Sequence, residues 1–132
     1  MPIKLLVVED HPVVRMGLQM LLDAQPDIDI IAEANTAAEA LQLTDRLQPD
    51  LVLMDIGLPD GSGISTTAEI KRRYPDMVVV ALTIHEDREY VEKMLSVGAS
   101  GYVPKRAAPD ELLTAIREAA RGQIFLHSVI TT

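Results

Sequence analysis

Glu9-Asp10, Asp55, Thr83 and Lys105 are the residues of this chain whose types and order point to chemistry. Each stands at or just past the end of a short apolar run. Lys4-Leu5-Leu6-Val7-Val8 leads into Glu9-Asp10, and Leu51-Val52-Leu53-Met54 leads into Asp55. Val78–Leu82 is followed by Thr83, and Gly101–Pro104 by Lys105. If the runs end on one edge of a sheet, three carboxylates, a hydroxyl and an ammonium converge. Like charges at close quarters raise each other's pKa unless a cation joins them. Carboxylate oxygens suit Mg²⁺, which favours an octahedral oxygen shell and keeps several waters. Glu9, Asp10 and Asp55 are then candidate ligands, directly or through water. The backbone carbonyl of Gly57 can complete the shell, because a residue without a side chain lets backbone come close. A carboxylate can also act as a nucleophile and take a phosphoryl group. Asp55 is the choice for that role, since it follows a buried run and precedes a loop shaped by Gly57 and Pro59. Lys105 and the metal can neutralise the equatorial phosphoryl oxygens in the transition state. Thr83 can donate its hydroxyl to the attached group.

The positioning elements are legible as alternation. Strands are expected at Lys4–Val8, Ile28–Glu33, Leu51–Met54, Val78–Leu82 and Gly101–Pro104. Helices are expected at Pro12–Ala24, Thr36–Leu47, Ser65–Arg73, Asp87–Val97 and Pro109–Arg121. Apolar strands without polar alternation suit the inside of a parallel sheet. Strands alternating with helices of this length imply βαβ units with helices on both faces. In such sheets ligands bind beyond the carboxyl ends of the strands. Val14, Leu18, Leu21 and Leu22 form one core-facing helical stripe; Leu112, Ile116 and Ala120 form another, and Val91, Met94 and Leu95 a third. Pro12 suits a first helical turn, and Gly98 a helix stop.

Composition narrows the function. A chain of 132 residues is most simply one domain. It has no cysteine, which excludes thiolate metal sites and fits a reducing cytoplasm. Its three histidines show no zinc spacing, and His11 receives no ligand role. No signal peptide pattern or membrane-length apolar run is visible. The formal charge of −8 argues against nucleic-acid binding by this segment. Lys71-Arg72-Arg73, the densest basic cluster, reads as the solvated end of a helix, where cations suit the dipole. With no tryptophan and Phe125 as the sole phenylalanine, a base-stacking platform is not expected.

Together these pieces resemble a response-regulator receiver domain, the aspartate-accepting half of two-component signalling. The resemblance rests on Val8-Glu9-Asp10, Leu53-Met54-Asp55-Ile56-Gly57-Leu58-Pro59-Asp60-Gly61, Ala81-Leu82-Thr83 and Gly98-Ala99-Ser100-Gly101-Tyr102-Val103-Pro104-Lys105. Glu9 through Leu18, and Glu111-Leu112-Leu113-Thr114-Ala115-Ile116 with Arg121-Gly122, are similar to the NarL/FixJ-type subfamily. The resemblance implies a flavodoxin-like (βα)5 doubly wound fold with a five-stranded parallel sheet of order 2-1-3-4-5. It also implies Mg²⁺ dependence, phosphorylation of Asp55 by a histidine kinase, metal ligation by Glu9 and Asp10, and a response to phosphate by Thr83 and Lys105. Tyr102 matches the family's aromatic switch position. Residues 1–122 would be the receiver, and 123–132 a tail or the start of a linker. A LuxR-type helix-turn-helix domain, which usually follows, is absent here. DNA contact would come only through it, and phosphorylation would favour a homodimer. Two positions depart from common members: Arg106 follows Lys105 where proline is frequent, and Ile84 follows Thr83 where a small residue is frequent. A bulky Ile84 is expected to restrict access and alter the phosphoryl lifetime.

Other readings stay open on sequence alone. Asp10 can be a helix cap, and Asp55 an ordinary loop aspartate. A Mg²⁺-dependent phosphatase with an aspartate nucleophile usually needs a second aspartate two residues on, where this chain has Gly57. A flavin or nucleotide domain would offer glycines to phosphate in its first loop, whereas Glu9-Asp10 repels it. A receiver-like interaction module that never takes phosphate would usually have lost this acidic set.

Overall fold

Side chains along a strand point alternately to opposite faces, and here both faces are covered. Leu5 and Val7 pack on one side, Leu6 and Val8 on the other. The same division holds for Leu51 and Leu53 against Val52 and Met54. A run apolar at every position is what a strand buried on both faces requires. The computed structural model describes residues 2–84 and 88–126. The expected helix start at Asp87, together with His85 and the last six residues of the tail, His127 among them, lies outside them.

In chain order the elements are β1 (Ile3–Val8), α1 (Pro12–Asp23), β2 (Ile28–Ala34), α2 (Ala37–Leu47), β3 (Leu51–Asp55), α3 (Gly63–Arg73), β4 (Val78–Thr83), α4 (Arg88–Ser96), β5 (Gly101–Pro104), α5 (Pro109–Ala120) and β6 (Phe125–Leu126). A two-rung antiparallel ladder between Gly57–Leu58 and Gly61–Ser62 interrupts the connection from β3 to α3. The main sheet runs β2-β1-β3-β4-β5-β6, parallel at every pairing. Its first five strands have the expected 2-1-3-4-5 order, and the flavodoxin-like fold is present. The sixth strand is a difference. Phe125–Leu126 pairs with Gly101–Tyr102, so the start of the expected tail extends the sheet. Without it β5 would be an open edge, with its N–H and C=O groups unpaired.

Helices α2, α3 and α4 enclose the core around Met54, Ile70, Met94 and Tyr102. Helices α1 and α5 enclose the core around Leu22, Leu53, Val103 and Ile116. In α1, Leu18 and Leu22 are buried as expected, while Val13, Met16 and Met20 are exposed. Pro12 and Pro109 occupy first turns. Gly98 stops α4 with a φ of +104°, which a side chain would strain. The basic cluster stands at the solvated end of α3, as expected, and is ion-paired and hydrogen-bonded there. Arg72 and Arg73 hold Glu69, Arg73 also holds Asp45, and Lys71 Nζ donates to the carbonyls of Pro75 and Met77. Among the described residues no helix is long and apolar enough to cross a membrane.

Candidate functional site

Parallel pairing converts sequence order into a place. β1, β3, β4 and β5 all end on the same edge, so the residues at their C-terminal ends are neighbours there. Glu9 and Asp55 are 1% and 4% exposed, and Thr83 is fully buried. The cation that joins them comes from the far end of the sheet. Lys105 Nζ lies 2.9 Å from Glu9 Oε1 and 3.1 Å from Asp55 Oδ2. Its own backbone N–H donates to the Thr83 carbonyl at 2.7 Å, which fixes the lysine beside the end of β4. The second Asp55 oxygen, Oδ1, accepts the Gly57 N–H at 3.1 Å. Lys105 and a backbone amide therefore hold the Asp55 carboxylate in a defined orientation.

Burial pushes the Asp55 carboxyl above the ordinary aspartate value, and the Glu9 charge adds to the rise. The Gly57 amide and Lys105 act against it. Burial opposes the charge on Lys105, but Glu9 and Asp55 outweigh burial and hold the ammonium above the usual lysine range. Two buried carboxylates share one ammonium, so the site keeps an excess of negative charge.

That excess has a direction. Asp10 Oδ1 is buried and accepts no hydrogen bond. Glu9 Oε1 has its ion pair with Lys105 but no aligned hydrogen bond. A buried polar atom left without a partner is costly, and a divalent cation would relieve both. Glu9, Asp10 and His11 each offer a ligand atom, all within 4.8 Å of one another. His11 was given no such role on sequence. Its Nδ1 lies 3.8 Å from Glu9 Oε2 and 3.9 Å from Asp10 Oδ1 at an exposed rim. Asp10 is not the cap of α1: His11 takes the N-cap position, without a side-chain hydrogen bond. Asp55 is not one of this trio but shares Lys105 with Glu9.

The family profile for the response regulator receiver domain matches residues 5–117. The chain belongs to that family. The receiver is 34% identical over 129 residues to the transcriptional regulatory protein DegU of Brevibacillus brevis, covering 98% of this chain and 55% of that protein. It is 36% identical over 130 residues to the oxygen regulatory protein NreC of Staphylococcus carnosus, covering 98% of this chain and 60% of the relative. The chain thus spans little more than half the length of these relatives. A crystal structure of a LuxR-family two-component response regulator from Aurantimonas superposes with a TM-score of 0.95 at 34% identity, over 99% of this chain and 94% of that one. These relatives support the NarL/FixJ-type assignment.

Within the receiver, Thr83 ends β4 and Ile84 follows it, beside Lys105 and Arg106, and the four line a pocket of about 300 Å³. Ile84 is 73% exposed at its mouth. Tyr102 is fully buried one strand away, in the core shared with Val91 and Met94. It does not join the acidic group. The structure thus gathers Glu9, Asp10, Asp55, Gly57, Thr83 and Lys105 at one edge and leaves Tyr102 behind them. A residue the sequence reading missed is Gly63, the first of α3. A Cβ there would lie 2.3 Å from the Asp55 carbonyl oxygen and 2.7 Å from Ile56 Cα. The helix abuts the backbone of Asp55, and only glycine permits that approach.

Proposed function

We propose that this receiver accepts a phosphoryl group on Asp55 from a sensor histidine kinase, with Mg²⁺, and that phosphorylation alters its contacts with a second copy or with an output domain. One observation carries the reading: a buried Asp55 carboxylate held by Lys105 at 3.1 Å, beside an acidic pair with an orphaned oxygen. Glu9, Asp10, Asp55 and the Gly57 carbonyl would hold the ion, which when bound neutralises charge on the phosphoryl oxygens. The Gly57 amide and Lys105 orient Asp55 so that a carboxylate oxygen faces the incoming phosphorus. As that P–O bond forms, the bond from phosphorus to the kinase histidine breaks.

The switch follows from added charge. Converting the carboxylate to an acyl phosphate takes the charge at Asp55 from about −1 to about −2 and adds three acceptor oxygens. Lys105 and the Thr83 hydroxyl are the groups placed to respond. Movement of Thr83 would open space for Tyr102 to turn, shifting the balance between two conformers to the extent that phosphate favours one. Residues 1–122 would form the receiver proper, and 123–132 would begin the connection to a DNA-binding domain in a cytoplasmic regulator of transcription. A regulatory role is favoured over a phosphatase role by Gly57, which offers no acid where such an enzyme needs one.

The test is incubation with acetyl phosphate or beryllofluoride and Mg²⁺, read by intact mass, sizing and NMR. The parent should gain a labile phosphoryl adduct or a mimic-induced change, and Asp55→Asn should gain neither. An unchanged parent defeats the reading.

A further inference from the structure

Asp60 lies at the tip of the hairpin that carries Gly57 at its base, where Gly57 pairs with Ser62 and Leu58 with Gly61. Its carboxylate reaches across to a helix more than twenty residues earlier. The Ala37 N–H donates to Oδ1 at 2.7 Å, and the Ala38 N–H donates to Oδ2 at 3.1 Å. These are the first two residues of α2. The next amide, Glu39 N–H, donates to Thr36 Oγ1 at 3.1 Å, and Ala40 N–H donates to the Thr36 carbonyl at 3.0 Å. Ala40 makes the first ordinary intrahelical bond, whereas the amides before it have no carbonyl within the helix to donate to. Of Ala37, Ala38 and Glu39, two are satisfied from the hairpin. Both bonds are charge-assisted, and the helix dipole favours the anion. They hold the Asp60 carboxyl below its ordinary value.

The other end of the hairpin is anchored too. Gly57 N–H donates to Asp55 Oδ1, and Gly63 N–H donates to the Ile56 carbonyl at 2.8 Å. A short ladder fixed at both ends cannot rock without breaking bonds at its tip. We infer that Asp60 is a positioning residue for the metal: by pinning the hairpin tip to α2, it sets where the Gly57 carbonyl stands relative to Glu9 and Asp10. This rests on the reading above, in which that carbonyl is a ligand.

The experiment is calorimetric titration of Mg²⁺ into four proteins, with melting temperatures recorded in EDTA. The parent should bind one ion, and Asp60→Ala should bind it about tenfold more weakly, the usual scale for losing a group that orients a ligand. Asp60→Asn removes the same charge but keeps an acceptor for Ala37, so it should recover part of the loss. Ala37→Pro cuts the tether from the other side. Proline suits a first helical position, and Thr36 already has the extended φ of −137° and ψ of 163° that a residue before proline needs. That variant keeps its helix yet should also weaken Mg²⁺ several-fold. The inference is overturned if Asp60→Ala binds within twofold of the parent. It is also overturned if Asp60→Asn equals Asp60→Ala, which assigns the effect to charge, or if Ala37→Pro binds like the parent. A parent that takes up no Mg²⁺ would instead defeat the metal assignment itself.

Discussion

Asp55→Asn should make the metal-free domain more stable at neutral pH, although it removes the residue on which the function rests. Asn has nearly the shape of Asp and keeps an acceptor for the Gly57 amide, so packing is little changed. The charge is what differs. Lys105 Nζ touches both carboxylates, at 2.9 Å and 3.1 Å. Glu9 and Asp55 therefore stand within about 6 Å of each other, a repulsion of about 3 kcal/mol at an effective dielectric of about 20. Attraction to Lys105 offsets this, but Lys105 keeps Glu9 as a partner in either protein. Burial of Asp55 then decides the sign, and it opposes the charge. The expected gain at pH 8 is about 1–2 kcal/mol, or about 3–8 °C in Tm. The pH dependence follows. A carboxyl whose folded pKa is raised contributes stability below its unfolded value and loses it as pH rises through the folded pKa. Parent and variant should match near pH 3 and diverge toward pH 8. Urea denaturation in EDTA across that range measures the difference. Mg²⁺ at a hundred times its Kd should then add about 2.7 kcal/mol to the parent and much less to the variant. A variant no more stable than the parent at pH 8, or a gap that ignores pH, would refute the electrostatic reasoning.

Lys105→Met leaves two buried carboxylates without their cation and should cost about 3 kcal/mol at pH 8. The loss should shrink toward pH 4 in the same denaturation series, and the phosphoryl adduct should fail to accumulate by intact mass. Gly63→Ala places a methyl group against the Asp55 carbonyl and should cost about 2–4 kcal/mol by chemical denaturation, whereas an ordinary first-turn glycine would tolerate the change. Ile84→Ala opens the mouth of the pocket beside Thr83 and should change the lifetime of the phosphorylated protein, followed by loss of the adduct with time; an unaltered lifetime removes Ile84 from the control of access.

The fold and the edge that carries the site were legible for one reason. A parallel sheet turns the C-terminal end of every strand toward the same edge, so acids and a lysine scattered over 97 positions, from Glu9 to Lys105, can be assembled by reading strand ends. The family resemblance added the strand order. What sequence could not show depends on groups without a period. Asp60 looks like any turn residue after proline, and nothing in Thr36-Ala37-Ala38 announces that its amides are satisfied from another loop. Gly63 looks like one of two glycines in Gly61-Ser62-Gly63, and only the approach of α3 to Asp55 distinguishes it. His11 looks like a linker residue until α1 turns its ring toward the acids.

Phe125–Leu126 is the most instructive case, because the apolar triplet Ile124-Phe125-Leu126 is too short to be read as a strand from sequence. The strand forms because the outer edge of β5 is available, and the glycine turn after α5 brings the chain back along it. Gly122 has a φ of +87°, and Phe125 N–H donates to the Ser100 carbonyl at 2.9 Å. The two side chains then divide between the two cores: Phe125 packs with the layer under α5, and Leu126 with the layer that contains Tyr102. Leu126 is also the register partner of Tyr102. β6 is therefore fastened beside the residue expected to turn, and a rotation of the Tyr102 ring is expected to disturb Leu126.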